Sequence, residues 1–555
     1  MGGAAPVFAA ASSAPIVKPK TLRQTLPAVA VAAFAAFGGV LYGYDTGTIS
    51  GLLQNERFRE DFGQFYQSDG VTGGIPSNPD TSGWSLSTSS TSLTTSILSV
   101  GTFFGALIGA PVADRLGRRW GLQIALLVFT VGVVMQLIAQ ALPLFDAGRV
   151  VAGLGVGILS TIIPMYQSEV APRWIRGAVV SGYQWAITIG LLCASIANNG
   201  TKDYGNTGAY RIPIAIQIAF AIVLSVGLFF LPESPRWQIK RGRHELAAKA
   251  LAKLNSTAID DPVVVSELAD VQTALDMELT LGNGSYLDCF RANERKNRAR
   301  TLTGMALQGC QQLTGINFIF YYGTTFAASA GITNPFTFSI ISNVVNVVAT
   351  VPGMWAMERV GRRKLLIWGA LGMCSMELIV AILGTIYNGS NPDAQRSLVA
   401  FVCIYVAMFA STWGPAAWVV CGEIFPLAIR AKALSLCTSS NWLFNWAIGY
   451  ATPYMVDSGK GNANLQSKVF FVWAATCFGS AVFAHFFIVE TRGLSLEEVD
   501  ELYATTTPAR STRMNAEMQA RRGELEGGKY VAGDEQVEAD AAKAHALKLD
   551  DKDAQ

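Results

Sequence analysis

The six residues "DRLGRR", Asp114–Arg119, return as "ERVGRR", Glu358–Arg363, 244 positions further on. Each copy lies between two apolar stretches of about 20 residues, the length that crosses a bilayer. Two more pairs keep the same order. Glu169 and Arg176 of "EVAPRWIR" return as Glu423 and Arg430 of "EIFPLAIR", 254 positions on, and Glu233 of "PESPR" returns as Glu490 of "VETRG", 257 positions on. Three ordered matches at nearly constant separation indicate a duplicated unit of six spans. An even number of spans returns the chain to its starting side, so the copies insert in parallel. Parallel repeats pack about an axis normal to the membrane, with a substrate site near mid-membrane between them. The pattern predicts an all-α membrane protein of twelve transmembrane helices in two parallel six-helix repeats.

The rest of the chain fits that frame. Of 555 residues 51% are hydrophobic and 15% charged, against ~25% charged in an ordinary soluble domain. Twelve apolar stretches lie at 27–50, 93–113, 120–142, 147–167, 177–197, 211–231, 301–323, 335–357, 365–387, 398–421, 431–452 and 468–489. The expected organisation is a cytoplasmic tail at 1–26, a first bundle at 27–231, a cytoplasmic helical linker at 232–300, a second bundle at 301–490, and a largely disordered cytoplasmic tail at 491–555. In the linker, "HELAAKALAKLN" and "VVVSELADVQTALDMEL" carry helical apolar spacing. The loops 114–119, 172–177, 358–364 and 430–432 are basic and share one side, whereas 143–146 and 324–334 carry almost no Lys or Arg. Positive residues stay inside, so both termini are expected in the cytoplasm, with the plasma membrane as location. The sequons at Asn199 and Asn388 then face outward as glycosylation sites, and those at Asn255 and Asn283 stay silent.

Net charge is +2, which carries no signal for nucleic acid. Eight Cys without paired spacing and three His imply neither a disulfide framework nor a metal site. No nucleophile–base set suggests an enzyme, and no cofactor is expected. The partners expected are a small molecule, the lipid bilayer and, as a further candidate, protons; function as a monomer is expected.

Topology accounts for the repeated Arg and Lys but not for the matched acids. Asp114, Arg118, Glu169 and Arg176 in one half, with Glu358, Arg362, Glu423 and Arg430 in the other, can form an ionic latch that holds the cytoplasmic side shut. Exposed pairs are individually weak, so only a network could bias two states. A separate acid, Asp45, lies inside the first span in "GGVLYGYDTGTIS" (38–50). A charge at mid-membrane costs at least ~2.5–3.5 kcal/mol, so Asp45 needs a partner or a proton. Arg149, in the fourth span, is the candidate partner. Gly39, Gly43, Gly47 and Gly51 recur every fourth residue and read as close helix packing.

The segments "GYDTGTISG", "DRLGRR", "GRVVAGLGVG", "PMYQSEVAPRWIRG", "PESPRW", "QQLTGINFIFYYG", "ERVGRR", "WGPAAWVVCGEIFPLAIRAKA" and "VETRGLSLEE" together resemble the sugar porters of the major facilitator superfamily, fungal hexose transporters above all. The resemblance covers roughly 27–503. It implies the major facilitator fold and uptake of a sugar, such as the hexose glucose, by alternating access. It implies sugar contacts at Gln184, Gln311, Gln312, Asn317, Asn346, Trp418 and Asn441, with Tyr321, Tyr322 and Asn445 as gate or supporting residues. Asn346 is placed only by spacing from "ERVGRR". It also implies that Asp45, tuned by Arg149, couples transport to protons in some members, while passive members carry the same pair. Symport, facilitated diffusion and a structural ion pair therefore all stand. Some members sense sugar without transporting it and carry long signalling tails; the short tail here favours transport.

The residue chemistry agrees with a sugar. A carboxamide donates and accepts as a sugar hydroxyl does, and neutral groups avoid the cost of buried charge. Adjacent Gln311 and Gln312, with Gln308 and Asn317 nearby, are more amides than helix glue requires. Trp418 offers a flat face for a pyranose and an indole N–H donor. At 100° per residue Asn317 points away from Gln311, so a break is predicted near Gly315, and Gly414–Pro415 marks a second one.

Overall fold

The computed structural model describes residues 22–65, 83–171, 176–280, 284–293, 295–329, 334–387, 392–426, 428–457, 461–494 and 496–521. Spans 1–6 are Leu22–Leu52, Thr88–Leu116, Arg118–Ile138, Leu142–Val170, Arg176–Thr201 and Gly208–Leu228. Span 7 is two helices, 7a (Asn297–Leu313) and 7b (Ile316–Ser329). Span 8 is Pro335–Arg359 and span 9 Arg362–Tyr387. Span 10 is also in two pieces, 10a (Pro392–Ser411) and 10b (Trp413–Glu423), followed by span 11 (Arg430–Val456) and span 12 (Val469–Phe487). Ten described helical segments are long and apolar enough to cross a membrane on their own. The remaining two crossings are span 7, whose pieces are too short singly, and span 11, whose Ser, Thr and Asn residues lower its hydropathy.

Sequence dictates the packing. Span 1 lays its glycine stripe on span 5, and a Cβ at Gly43 would run into the Ile187 backbone. Small residues let backbones approach where lipid offers no hydrophobic drive between helices. Outward-facing Phe104, Leu127, Trp355, Trp368 and Phe478 are exposed, as a surface solvated by lipid requires.

The halves meet along spans 2 and 11 and along spans 5 and 8. They touch at both ends. Away from the basic loops, Ser50 Oγ lies 3.0 Å from Thr324 Oγ1, Gln54 donates to Thr325 Oγ1 at 2.8 Å, and Asn343 donates to Ser195 Oγ at 2.8 Å. Towards the basic loops, Ser435 donates to the Ala106 carbonyl at 2.7 Å and Tyr286 to the Leu107 carbonyl at 2.9 Å. This is a closed arrangement of the two repeats.

The linker carries the two expected helices, at His244–Asn255 and Pro262–Thr280, and a further short one, Pro235–Lys240, that the spacing does not predict. The tail differs from expectation. Residues Leu496–Thr505 form a helix, and 511–521 form another. Val499, Leu502 and Tyr503 are buried; their helical spacing makes one apolar face inside a charged composition. Asp500 pairs with the buried Arg300, whose guanidinium lies 4.2 Å from the Tyr503 ring. Asn515 donates to the carbonyls of Glu490 and Arg492, each at 3.0 Å. The expectation of disorder at 522–555, and the sequons at Asn283 and Asn388, lie outside the described residues.

Candidate functional site

Two helix breaks build the centre. Gly315 sits at φ +79°, a conformation that costs an L side chain ~1–2 kcal/mol. Its position against the Trp473 ring leaves no room for a Cβ. The turn brings Asn317 back so that its amide donates to Gln312 Oε1. Span 10 breaks at Thr412, just before Gly414–Pro415, and its second piece opens on the Trp413 and Gly414 carbonyls. Gln311 Nε2 donates to both, at 3.1 and 2.9 Å.

Around these breaks the amides form one network. Asn441 donates to Gln308 Oε1 at 2.7 Å and to Gln311 Oε1 at 2.8 Å. Asn445 Nδ2 reaches Gln312 Oε1 at 3.4 Å, and Asn445 Oδ1 accepts from Tyr321 at 2.8 Å and from Ser99 at 2.7 Å. Ser99 belongs to the other half, so the network spans the interface. Tyr322 donates to the Gly449 carbonyl at 2.7 Å. Gln184 approaches Gly414 from span 5. Trp418 is buried and packs edge-on against Tyr183, ring centroids 5.8 Å apart. Asn346 is fully buried with neither polar atom partnered, outside the hydrogen-bonded group.

Two groups escaped the residue-type reading. Tyr183 directly precedes Gln184 and is fully buried. Trp442, next to Asn441, donates to Ser160 Oγ at 3.3 Å across the interface and meets Tyr42 edge-on at 5.0 Å. Adjacency to the named amides was the available signal for both. Gln308, read from the sequence with the amides of span 7, holds Asn441.

Asp45 is fully buried, and neither of its oxygens has a hydrogen-bond partner. Arg149 is also buried, with Nε and Nη2 unpartnered. The two are close enough to interact electrostatically, with Gln217 beside them, but no hydrogen bond joins them. The closed ion pair expected of a purely structural role is absent from this arrangement.

The charges of the basic loops are arranged alike in the two halves. Arg118 grips Glu169 with two bonds, Nη2–Oε1 at 2.7 Å and Nε–Oε2 at 2.9 Å, and reaches Asp114 at 3.5 Å. Arg362 grips Glu423 at 2.9 and 3.3 Å and Glu358 at 3.1 Å. Glu169 and Glu423 thus pair with the loop arginines of their own halves. Arg430 donates to the Phe425 carbonyl at 3.1 Å, and the Arg176 side chain lies outside the described residues. The halves meet where Gly177 abuts Glu358 and Arg362. Glu233 and Glu490 accept the backbone N–H groups that open spans 3 and 9, from Arg118 and Arg119 and from Arg362 and Arg363. Burial pushes both carboxyls above their ordinary value, and those backbone donors oppose it. Gly117 and Gly361, at φ +95° and +98°, leave the space each carboxylate fills.

Residues 31–503 match the sequence model of the family described as sugar (and other) transporters. The chain belongs to the sugar transporter family. This transporter is 47% identical over 515 residues to the major facilitator-type transporter ecdD of Aspergillus rugulosus, covering 91% of this chain and 93% of that one. It is 44% identical over 486 residues to the probable glucose transporter rco-3 of Neurospora crassa, covering 86% and 80%. Its structure is similar to that of the major facilitator superfamily proton:xylose symporter XylE bound to 6-bromo-6-deoxy-D-glucose. The TM-score is 0.71 at 27% identity, over 86% of this chain and all of the other. The transporter is therefore an integral, multi-pass membrane protein of the major facilitator fold.

Proposed function

We propose that this protein takes up a hexose such as glucose by alternating access, binding it between the halves through Gln184, Gln311, Gln312, Asn317, Asn346, Trp418 and Asn441. The observation that carries this is the amide network at the breaks of spans 7 and 10. Its members satisfy one another in the closed arrangement, and each can trade a partner for a sugar hydroxyl without stranding a charge. Tyr321, Tyr322 and Asn445 form the gate on the side away from the basic loops. Asp114, Arg118, Glu169 and Arg176, with Glu358, Arg362, Glu423 and Arg430, form the latch on the other. The relatives named as a glucose transporter and a proton:xylose symporter support the substrate class. No covalent chemistry is needed.

Uptake is coupled to protons in this reading. Asp45 is buried without a hydrogen bond, beside an Arg149 that is itself incompletely paired. A carboxylate so placed binds a proton when Arg149 recedes and releases it when Arg149 approaches. The basic loops face the cytoplasm, both termini lie inside, the membrane is the plasma membrane, and one chain suffices for function.

The test is glucose uptake in cells lacking hexose transporters, with and without a protonophore, and sugar-induced proton uptake by wild type and Asp45→Asn. Uphill accumulation and a proton signal that Asp45→Asn abolishes are expected. Equilibration indifferent to the protonophore refutes coupling and leaves facilitated diffusion. Sugar binding without flux refutes transport in favour of sensing.

A further inference from the structure

A second acid lies inside the membrane, in the other half. Glu377, in the middle of span 9, is fully buried, and neither carboxyl oxygen has a hydrogen-bond partner. The side chains that face it are Tyr405 of span 10a and Cys477 of span 12, with Cys374 on its own helix. None is basic. A lone charge in hydrocarbon is expensive, so the group stands there as the neutral acid.

What Tyr405 and Cys477 do gives the acid its place. Both point at the carbonyl of Thr314, Tyr405 Oη at 2.7 Å and Cys477 Sγ at 3.7 Å. Thr314 is the residue at which span 7 breaks, so its carbonyl lacks the helical partner that an unbroken helix supplies. Thr476 Oγ1 caps the preceding carbonyl, of Leu313, at 2.5 Å. The break that sets Gln311 and Gln312 against Asn317 is therefore held from behind by side-chain donors. The Tyr405 proton is committed to Thr314, which leaves its oxygen lone pairs towards Glu377. Span 9 backs the second break as well: Trp413 Nε1 donates to the Leu366 carbonyl at 2.8 Å, and Thr412 abuts Gly369.

We propose that Glu377, as a neutral carboxylic acid offering its O–H to Tyr405, holds that hydroxyl on the Thr314 carbonyl and is thereby a positioning residue for the sugar amides at the span 7 break. The inference rests on the reading of those amides as the sugar site. Glu377 touches no sugar in this scheme. Its effect passes through Tyr405 and the backbone.

The test is the KM and Vmax of labelled-glucose uptake, normalised to transporter at the cell surface, for full-length Glu377→Gln, Glu377→Leu, Tyr405→Phe and the Glu377→Leu/Tyr405→Phe pair. Gln also offers a neutral donor, so Glu377→Gln keeps KM within about twofold of wild type and keeps the pH profile. Glu377→Leu and Tyr405→Phe each raise KM by about tenfold with a smaller change in Vmax, the order expected for losing one buried hydrogen bond. The pair is no worse than either alone, because both act on one carbonyl. Unchanged KM in Glu377→Leu and Tyr405→Phe overturns the proposal, as do effects that multiply. A Glu377→Gln variant as impaired as Leu, with an altered pH profile, also overturns it and makes the residue a proton carrier. If Glu377→Leu does not reach the surface, Tyr405→Phe with and without Glu377→Gln decides. A rise in KM for Tyr405→Phe alone that Glu377→Gln leaves unaltered supports the chain, and no rise refutes it. Gln312→Ala serves as the control for the site itself. If it too leaves KM unchanged, the sugar-site reading has failed, whereas a raised KM in Gln312→Ala alone refutes only the role of Glu377.

Discussion

Replacing Gly315 with Ala asks two separate things of the structure. The residue sits at φ +79°, where a Cβ costs ~1–2 kcal/mol. That Cβ would also meet Cβ, Cγ and Cδ2 of Trp473 at 2.5–2.9 Å, and overpacking of this kind costs ~1–3 kcal/mol. Together the closed geometry loses about 2–5 kcal/mol. The cheapest relief is to straighten the break, which swings Asn317 away from Gln312. Glucose KM should therefore rise at least tenfold, the equivalent of ~1.4 kcal/mol, and the melting temperature of the purified transporter should fall. A double-mutant cycle separates the two contributions. In a Trp473→Ala background the Cγ and Cδ2 contacts go and only the Cβ contact at 2.8 Å remains, so adding Gly315→Ala costs less than in wild type and approaches the ~1–2 kcal/mol of the backbone conformation. Uptake kinetics and thermal unfolding in detergent, on all four proteins, measure both quantities. An unchanged KM in Gly315→Ala, or equal costs with and without the Trp473 ring, would refute the reasoning that this break is held open by its contact with span 12 and places Asn317.

Three further outcomes are expected. Gln312→Ala and Trp418→Ala should each cut glucose transport at least tenfold, the scale of one or two lost buried contacts, while the protein still reaches the membrane; normal kinetics in both would remove them from the site. Glu169→Gln or Glu423→Gln should weaken the grip of a buried arginine and shift the population towards opening on the basic-loop side, read by cysteine accessibility from each face; an unshifted pattern in a folded protein would leave those acids a role in topology only. Asp500→Asn should lower thermal stability by about 1–3 kcal/mol by leaving the buried Arg300 without its carboxylate, whereas Asp393→Asn, in an exposed pair with Arg396, should change it by less than about 0.5 kcal/mol.

Much was legible because its causes are local or repeated. Hydrophobic runs of spanning length and three matched charge motifs contain the twelve-helix, two-repeat architecture, since a bilayer admits so few backbone solutions. Gly315 and Gly414–Pro415 mark the breaks, because a residue without a Cβ can take a positive φ and one without an N–H leaves a carbonyl of the preceding turn unpaired, so a helix breaks there at least cost. Carboxamide identity marks the candidate site, because the chemistry of a side chain belongs to its residue type.

Pairing is another matter, because it depends on where helices far apart in sequence come to rest. Nothing in the string couples Asn441 to Gln308 and Gln311, Glu169 to Arg118, or Tyr405 to the carbonyl at the span 7 break. The separation of Asp45 from Arg149 is likewise a property of one arrangement of the helices, and hydrogen bonding turns on shifts of an ångström. The tail shows the same limit from the other side. Its composition reads as solvated chain, and only the face that the second bundle presents, with a buried Arg300 awaiting a carboxylate and a ring, turns residues 496–505 into a docked helix. The sequence determined which groups can donate, accept, bend or span. The tertiary structure alone decided which of them meet, because a contact between distant segments is set by the packing of the whole bundle and by no local property of either partner.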